Sequence, residues 1–228
     1  IPPEDARQYL PFGCGEYTVM SRSVSTPNGL INMPMVLDGI LRKAAQGQID
    51  VSSFDKLFDA YAARTTELMH AMAVTQKIQY DVLGEQAPFL FASLLFHDCV
   101  KRDKGICQGG MRYLGGTNET YGNITTADAF TAIKRYVYDE KKYTIEQIAQ
   151  ACRENFKDND ALRQDLLNAP KYGNDNDEAD TMAVRVHEQI CNTTAAQAKP
   201  AGLDTYLVVV VNNWGNTILG RFTNASAD

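Results

Sequence analysis

Residues 13–16 read Gly13-Cys14-Gly15-Glu16, a thiol and a carboxylate two positions apart between glycines. Cysteine can serve as a nucleophile, a metal ligand or a carrier of a sulfur-centred radical, and a neighbouring carboxylate can move a proton. In a glycine turn the two side chains could converge on one cavity, as residues i and i+2 do on a strand. A nucleophilic Cys14 needs a base, yet His70, His97 and His187 fall within predicted helices or at their ends, remote in sequence. A metal site needs a spaced Cys or His partner, and none accompanies Cys14. A hydrogen-atom carrier needs only a substrate C–H bond within reach, a radical source and an acid or base. Read locally, the plainer assignment is a buried cysteine in a turn, and the three chemistries stay open beside it.

Other combinations carry less. His97-Asp98-Cys99 lists the members of a triad in a row, but adjacent residues on a helix point in different directions. The glycines from Gly109-Gly110 through Gly115-Gly116 to Gly122 lack the Lys-Ser/Thr ending of a P-loop and the spacing of a dinucleotide fingerprint, so a close-packed loop is expected. Asp175, Asp177 and Asp180 lack the glycine and distal Glu of a calcium loop and read as a solvated turn with helix N-terminal charges. Asn212-Asn213-Trp214 follow an apolar strand, where barrel sites lie, although a structural role is favoured.

The elements that must hold Cys14 and Glu16 follow from periodicity. Ser21 to Asn32 read as loop, and Met35 to Gln46 as a helix closed by Gly47. Ser53 caps a long helix with Phe54, Leu57, Phe58, Tyr61, Leu68 and Met72 at helical spacing, running to Val82 and stopped by Gly84. Pro88 opens a short apolar helix, Phe89 to Phe96, and residues 103–124 read as loop. Helices follow at Ala127 to Tyr138, from Thr144 (a capping box with Gln147), at Ala161 to Ala169, and from the acidic turn Asn174 to Asp180 up to Thr194. Leu207 to Val211 reads as a buried strand. The class is α/β, rich in helix.

The composition is 44% hydrophobic and 22% charged, ample for a core. A net charge of −6 argues against nucleic acid as partner, and no apolar run reaches the length of a membrane span. Five widely spaced cysteines without Cys-x-x-Cys point to neither a disulfide framework nor a zinc ribbon, so a reducing cytoplasm is expected. The Ile1-Pro2-Pro3 start and the stop at Asp228 lead us to expect a piece of a longer polypeptide.

Several stretches together resemble one family. Glu4-Asp5-Ala6-Arg7 through Tyr9 to Gly13-Cys14-x-Glu16 is similar to the approach to the active-site cysteine of the glycyl radical enzymes, the superfamily of pyruvate formate-lyase and the glycerol and choline lyases. So are Gly115-Gly116-Thr117, Thr120-Tyr121-Gly122, Ala127-Asp128-Ala129, Ala132-Ile133-Lys134, Val137 to Lys142 and Asn155-Phe156. The stretch Leu166 to Asp175 is the most specific.

The resemblance implies a helix-rich part of a ten-stranded β/α barrel. Residues 1–228 would be a single segment of that larger domain, lacking its N-terminal half and its C-terminal glycyl radical domain. It implies Cys14 as carrier of the thiyl radical and Glu16 as general base, with no bound cofactor or metal in this segment. The radical would sit on a glycine elsewhere, installed by an activating enzyme that uses S-adenosylmethionine and an iron–sulfur cluster. Cys-x-Glu is similar to the eliminating members, the dehydratases and C–N or C–S lyases acting on small hydroxylated substrates. Arylacetate decarboxylases carry the same pair, and a non-catalytic remnant or assembly subunit is the competing class. Two departures bear on substrate: Tyr17 stands where proline is usual, and Gly15 where a larger apolar residue is usual. By analogy the protein is a homodimer, and the segment alone is expected to be inactive.

Overall fold

A computed structural model describes residues 1–13, 16–24, 27–210, 217–218 and 220–222. In chain order they form helix α1 (Pro3–Ala6), strands β1 (Tyr9–Phe12), β2 (Glu16–Val19), β3 (Ser23–Val24) and β4 (Pro27–Asn32), and helices α2 (Met33–Ala45) and α3 (Phe54–Gln86). Next come the one-turn helices α4 (Leu90–Ser93) and α5 (Cys99–Arg102) and strand β5 (Tyr113–Tyr121). Helices α6 (Asn123–Ile133), α7 (Ile145–Arg153), α8 (Asp160–Asn168) and α9 (Asp177–Ala196) and strand β6 (Thr205–Val210) complete the order. The expected α/β class is the one found. The described residues divide into two compact units, one drawn from Ile1–Ile31, Thr66–Glu119 and Cys191–Val211, the other from Asn32–Thr65, Thr120–Ile190 and Asn212–Asp228.

The first unit is built on two sheets. β1 and β2 form an antiparallel hairpin, and β5 is the strand against which β3, β4 and β6 pair. β3 runs parallel to β5, with Ser23 opposite Tyr113 and Val24 opposite Leu114. The apolar core under the larger sheet joins Ala73 and Tyr80 of α3 to Met111, Leu203 and Tyr206. Tyr80 donates its hydroxyl to the Gly115 carbonyl at 2.7 Å, so its polar tip is satisfied within that core. A Cβ at Gly116 would meet Gln76 and Tyr206 at 2.9 Å. Glycine there lets strand and helix approach; it is not a turn residue.

The second unit is helical. Asn32 caps α2, its Oδ1 accepting from the Met35 N–H at 3.3 Å. α2 packs on α6 and α7. The predicted capping box is present: the Gln147 N–H donates to Thr144 Oγ1, and the Thr144 N–H to Gln147 Oε1. Phe130 is the centre of an aromatic cluster, edge-on to Tyr61 at 5.1 Å and Phe54 at 5.9 Å and tilted against Phe58 at 5.3 Å. The Arg185 guanidinium lies 4.0 Å above the Phe58 ring and pairs with Asp55.

Several expectations need correction. Ser21–Asn32 and 103–124 are not loop throughout: they hold β3, β4 and β5. Their partners lie far away in sequence, so no local pattern announces them. α3 continues through Gly84 to Gln86, since one glycine costs only about 1 kcal/mol in a long helix. Its buried stripe passes through Met69 and Ala73, while Leu68 and Met72 are half-buried. Only one turn of Phe89–Phe96 is helical, and Phe91 remains 78% exposed. Among the described residues no helix is long and apolar enough to cross a membrane.

Candidate active site

The hairpin register runs from Tyr9 opposite Val19 to Phe12 opposite Glu16, and Gly13 follows the first strand. Tyr9 and Tyr17 stack at 4.9 Å along one face, and the Met20 N–H closes the open end onto the Gln8 carbonyl at 3.0 Å. Gly13 has φ +54°, the left-handed region that side chains avoid. A Cβ there would also lie 2.5 Å from Glu16 Oε2 and 2.8 Å from Oε1. The glycine therefore does two things: it turns the chain, and it leaves room for the Glu16 carboxyl to fold back against the turn.

Glu16 opens β2 and is 4% exposed. Its Oε2 is buried with no hydrogen-bond partner among the described residues. A buried carboxylate oxygen without a partner is costly, and a catalytic role, strain or an ordered water or ion is what accounts for such groups. Cys14, with Gly15, lies outside the described residues, so the geometry at hand concerns Glu16 and its surroundings.

What aims the hairpin is an ionic knot one turn upstream. Asp5, in α1, is 1% exposed and accepts from Tyr113 Oη at 2.6 Å, from Arg112 Nη1 at 3.0 and 3.2 Å, and from Arg22 Nη1 at 2.5 Å. The Tyr113 hydroxyl, and then Arg112, hold its carboxyl below the usual carboxylate range despite its withdrawal from water. One carboxylate thus ties the chain before β1, the turn after β2 and the start of β5 together. A second link follows: the Val19 N–H donates to Ser23 Oγ at 2.8 Å.

Glu119, near the end of β5, was not among the residues singled out from the sequence. On a strand, neighbours point to opposite faces. Asn118 donates to Met69 Sδ of α3 at 3.1 Å, so Glu119 faces away from α3. Its carboxyl is held above the usual range, first by withdrawal from water and then by the negative charge of Glu16. The sequence signal, an acidic residue two positions beyond a glycine pair and Thr117, is legible only once 113–121 is known to be a strand.

The remaining candidates fall away. Exposed His97 donates its backbone N–H to Ser21 O, Asp98 pairs with Arg112 at 3.0 Å, and Cys99 is buried, so the three do not form a triad. His70 meets Gln197 at 3.1 Å. Asp177 and Asp180 sit in the first turn of α9, capped by Asn176 Oδ1. Asn212, Asn213 and Trp214 lie outside the described residues. Burial raises the thiols of Cys99, Cys107, Cys152 and Cys191, which suits packing rather than thiolate chemistry. The stretch Leu166 to Asp175 is structural: Lys171 Nζ donates to the carbonyls of Leu166, Leu167 and Ala169 at the end of α8, and the Tyr172 N–H to Asp128 at 2.9 Å.

The described residues thus show a hairpin with Gly13 at φ +54° after its first strand and, at the start of its second, a buried glutamate with one oxygen unpartnered among the described residues. The chain belongs to the family described as pyruvate formate lyase-like, whose profile matches residues 1–213. It is 30% identical to (2S)-3-sulfopropanediol dehydratase of Klebsiella oxytoca, over 99% of this chain and 29% of that protein. It is 26% identical to trans-4-hydroxy-L-proline dehydratase of Clostridioides difficile, over 87% and 27%. The B12-independent glycerol dehydratase of Clostridium butyricum superposes with a TM-score of 0.85 at 24% identity, over all of this chain and 30% of that one. The C. difficile hydroxyproline dehydratase with substrate bound gives 0.90 at 24% identity, over 98% and 30%. The structural likeness carries the fold, part of the β/α barrel of glycyl radical enzymes. The chain spans less than a third of the length of these relatives.

Proposed function

We propose that the whole protein is a glycyl radical eliminase, a dehydratase or a C–N or C–S lyase, acting on a small hydroxylated substrate. The observation that carries this is Glu16: buried, held against Gly13, and with Oε2 lacking a hydrogen-bond partner among the described residues. A carboxylate in that setting is available to a substrate hydroxyl. A sulfopropanediol dehydratase, a hydroxyproline dehydratase and an isethionate sulfite-lyase match over 99%, 87% and 88% of this chain, against 58% for a 4-hydroxyphenylacetate decarboxylase, which supports elimination over decarboxylation.

A glycyl radical on a segment outside this chain, formed by an activating enzyme, supplies the hydrogen-atom acceptor that arms the Cys14 thiol. The Cys14 sulfur then takes a hydrogen atom from the substrate carbon bearing the hydroxyl, making an S–H bond and a carbon radical. Glu16 takes the hydroxyl proton, the resulting ketyl-type radical expels the neighbouring group with its bonding electron pair, and the proton held by Glu16 passes to that departing group, as water when it is a hydroxyl. The S–H returns its hydrogen atom to the product radical, regenerating the sulfur radical. Burial of Glu16 keeps competing water from its carboxylate. A homodimer in a reducing cytoplasm is part of the same reading.

The test is Glu16→Gln in the activated full-length protein. General-base loss should lower kcat by about 10²- to 10⁴-fold, with the radical content per subunit, read by electron paramagnetic resonance, unchanged. A variant with wild-type kcat would overturn the assignment.

A further inference from the structure

His97, Asp98 and Cys99 form no triad, yet the first two are joined by direct contacts to the hairpin of β1 and β2, between whose strands Cys14 lies in sequence. The His97 backbone N–H donates to the Ser21 carbonyl, just beyond β2, at 2.8 Å. The Asp98 carboxylate accepts from Arg112 Nε at 3.0 Å. Nη1 of the same guanidinium donates to both oxygens of Asp5, at 3.0 and 3.2 Å. Asp5 also accepts from Arg22 at 2.5 Å, and these two residues flank the hairpin, one before β1 and one after β2. Backbone bonds carry the link inward: the Gln8 N–H donates to Asp5 O at 2.9 Å, and the Arg22 N–H to Val19 O at 3.0 Å. An unbroken path of hydrogen bonds thus runs from Asp98 to both strands.

Asp98 is committed to this path. It stands at φ +73°, a left-handed conformation that aspartate tolerates better than most side chains. It occupies the N-cap position of α5 but makes no side-chain capping bond there, so its carboxylate serves Arg112 instead of the helix. Arg102 Nη2 stands 4.0 Å from the same carboxylate, while its Nη1 donates to the carbonyls of Met111 and Gly109. The Arg112 side chain is 38% exposed, against 2% for that of Asp5. A long, half-exposed arginine keeps much of its rotamer freedom unless it is held at more than one point. Because the guanidinium is planar and rigid, an acceptor that fixes Nε also fixes where Nη1 points.

We propose that Asp98 is a positioning residue for the reaction: by orienting Arg112 toward Asp5 it fixes the hairpin that presents Cys14 and Glu16. This deepens the eliminase reading and rests on it for the roles of those two residues.

The test uses the full-length protein in two assays. In the first, the anaerobically activated protein turns over small hydroxylated probes (1,2-propanediol, 1-amino-2-propanol and 3-sulfopropane-1,2-diol), and kcat is normalised to radical content. Asp98→Gly removes the carboxylate without straining the backbone, and should lower normalised kcat about tenfold to a hundredfold with KM within about twofold. Asp98→Asn keeps an acceptor oxygen and tolerates the same φ, so it should stay within about threefold of wild type. Arg112→Gln combined with Asp98→Gly should cost no more than the worse single change, because both act through one guanidinium. A merely structural Asp98 would lower the thermal midpoint and leave normalised kcat unmoved. The second assay needs neither radical nor substrate: the alkylation rate of Cys14 by iodoacetamide, read by peptide mass, should change at least severalfold in Asp98→Gly while that of Cys152 on α7 does not. Normalised kcat within about twofold of wild type in Asp98→Gly, a loss carried by KM alone, an Asp98→Asn loss as great as that of Asp98→Gly, or an unmoved Cys14 alkylation rate would each overturn the proposal. Wild-type elimination with an unaffected Asp98→Gly would sink the proposal and leave the eliminase reading standing; a shifted Cys14 alkylation rate in a protein that never eliminates would do the reverse.

Discussion

Replacing Gly13 by alanine separates positioning from stability at the hairpin. The added methyl group would sit 2.5 Å from Glu16 Oε2 and 2.8 Å from Oε1. An ordinary carbon–oxygen contact is about 3.3 Å or more, so the carboxyl must retreat by most of an ångström. Because it ends a flexible side chain, that retreat is energetically cheap. The backbone adds about 1–2 kcal/mol for a side chain at φ +54°. A change of about 2 kcal/mol lowers the thermal midpoint by only about 1 °C in a protein of the length of the relatives, of which this chain covers 29%. Catalysis should suffer far more, since a displacement of about 1 Å in a reacting group can reduce the rate about 100-fold. The assay is kcat/KM of the activated full-length variant, normalised to its radical content, alongside its thermal midpoint. A normalised kcat/KM within about twofold of wild type would refute the claim that Gly13 sets the position of a catalytic Glu16.

Further outcomes follow from individual contacts. Asp5 is held ionised by Tyr113, Arg112 and Arg22, so its folded carboxyl lies below the unfolded value of about 3.9 and its contribution is present above that pH and lost as pH falls through the folded value. The thermal midpoint of Asp5→Asn should therefore trail wild type by a constant gap from neutral pH down to about pH 5, closing below about pH 4; a gap that widens in acid contradicts this. Phe130→Ala empties the centre of the aromatic cluster and should destabilise by about 3–5 kcal/mol in chemical denaturation, with an effect under about 1 kcal/mol counting against the cluster's role. Thr144→Ala removes one half of a capping box, for about 1 kcal/mol, and Thr144→Ser should restore most of it.

The helical half of the molecule was legible because its signals are local. Thr144 and Gln147 are three residues apart, and the stripe Phe54, Leu57, Phe58, Tyr61 repeats every turn. Of the larger sheet only β6 was legible, as an apolar run; β3, β4 and β5 were not, because the partner of Ser23 is Tyr113 and that of Leu114 is Val24. Gly115 and Gly116 read as loop punctuation, although Gly116 serves the close approach of Gln76 and Tyr206. Glu16 could be named from Cys-x-Glu alone. Glu119 could not, since its face depends on a strand whose pairings lie far away in sequence. Asp5 appeared only as part of a matching stretch; its bonds to Arg22, Arg112 and Tyr113 reach residues up to 108 positions away.

The most direct measurement is made on Cys14. Full-length protein and its Cys14→Ser variant are activated anaerobically, the glycine-centred radical is quantified by electron paramagnetic resonance, and turnover is followed with the same small hydroxylated probes. The account predicts equal radical in both proteins and product only from the one that keeps the thiol. Product formed by Cys14→Ser, or no glycine-centred radical in the activated wild type, would contradict it.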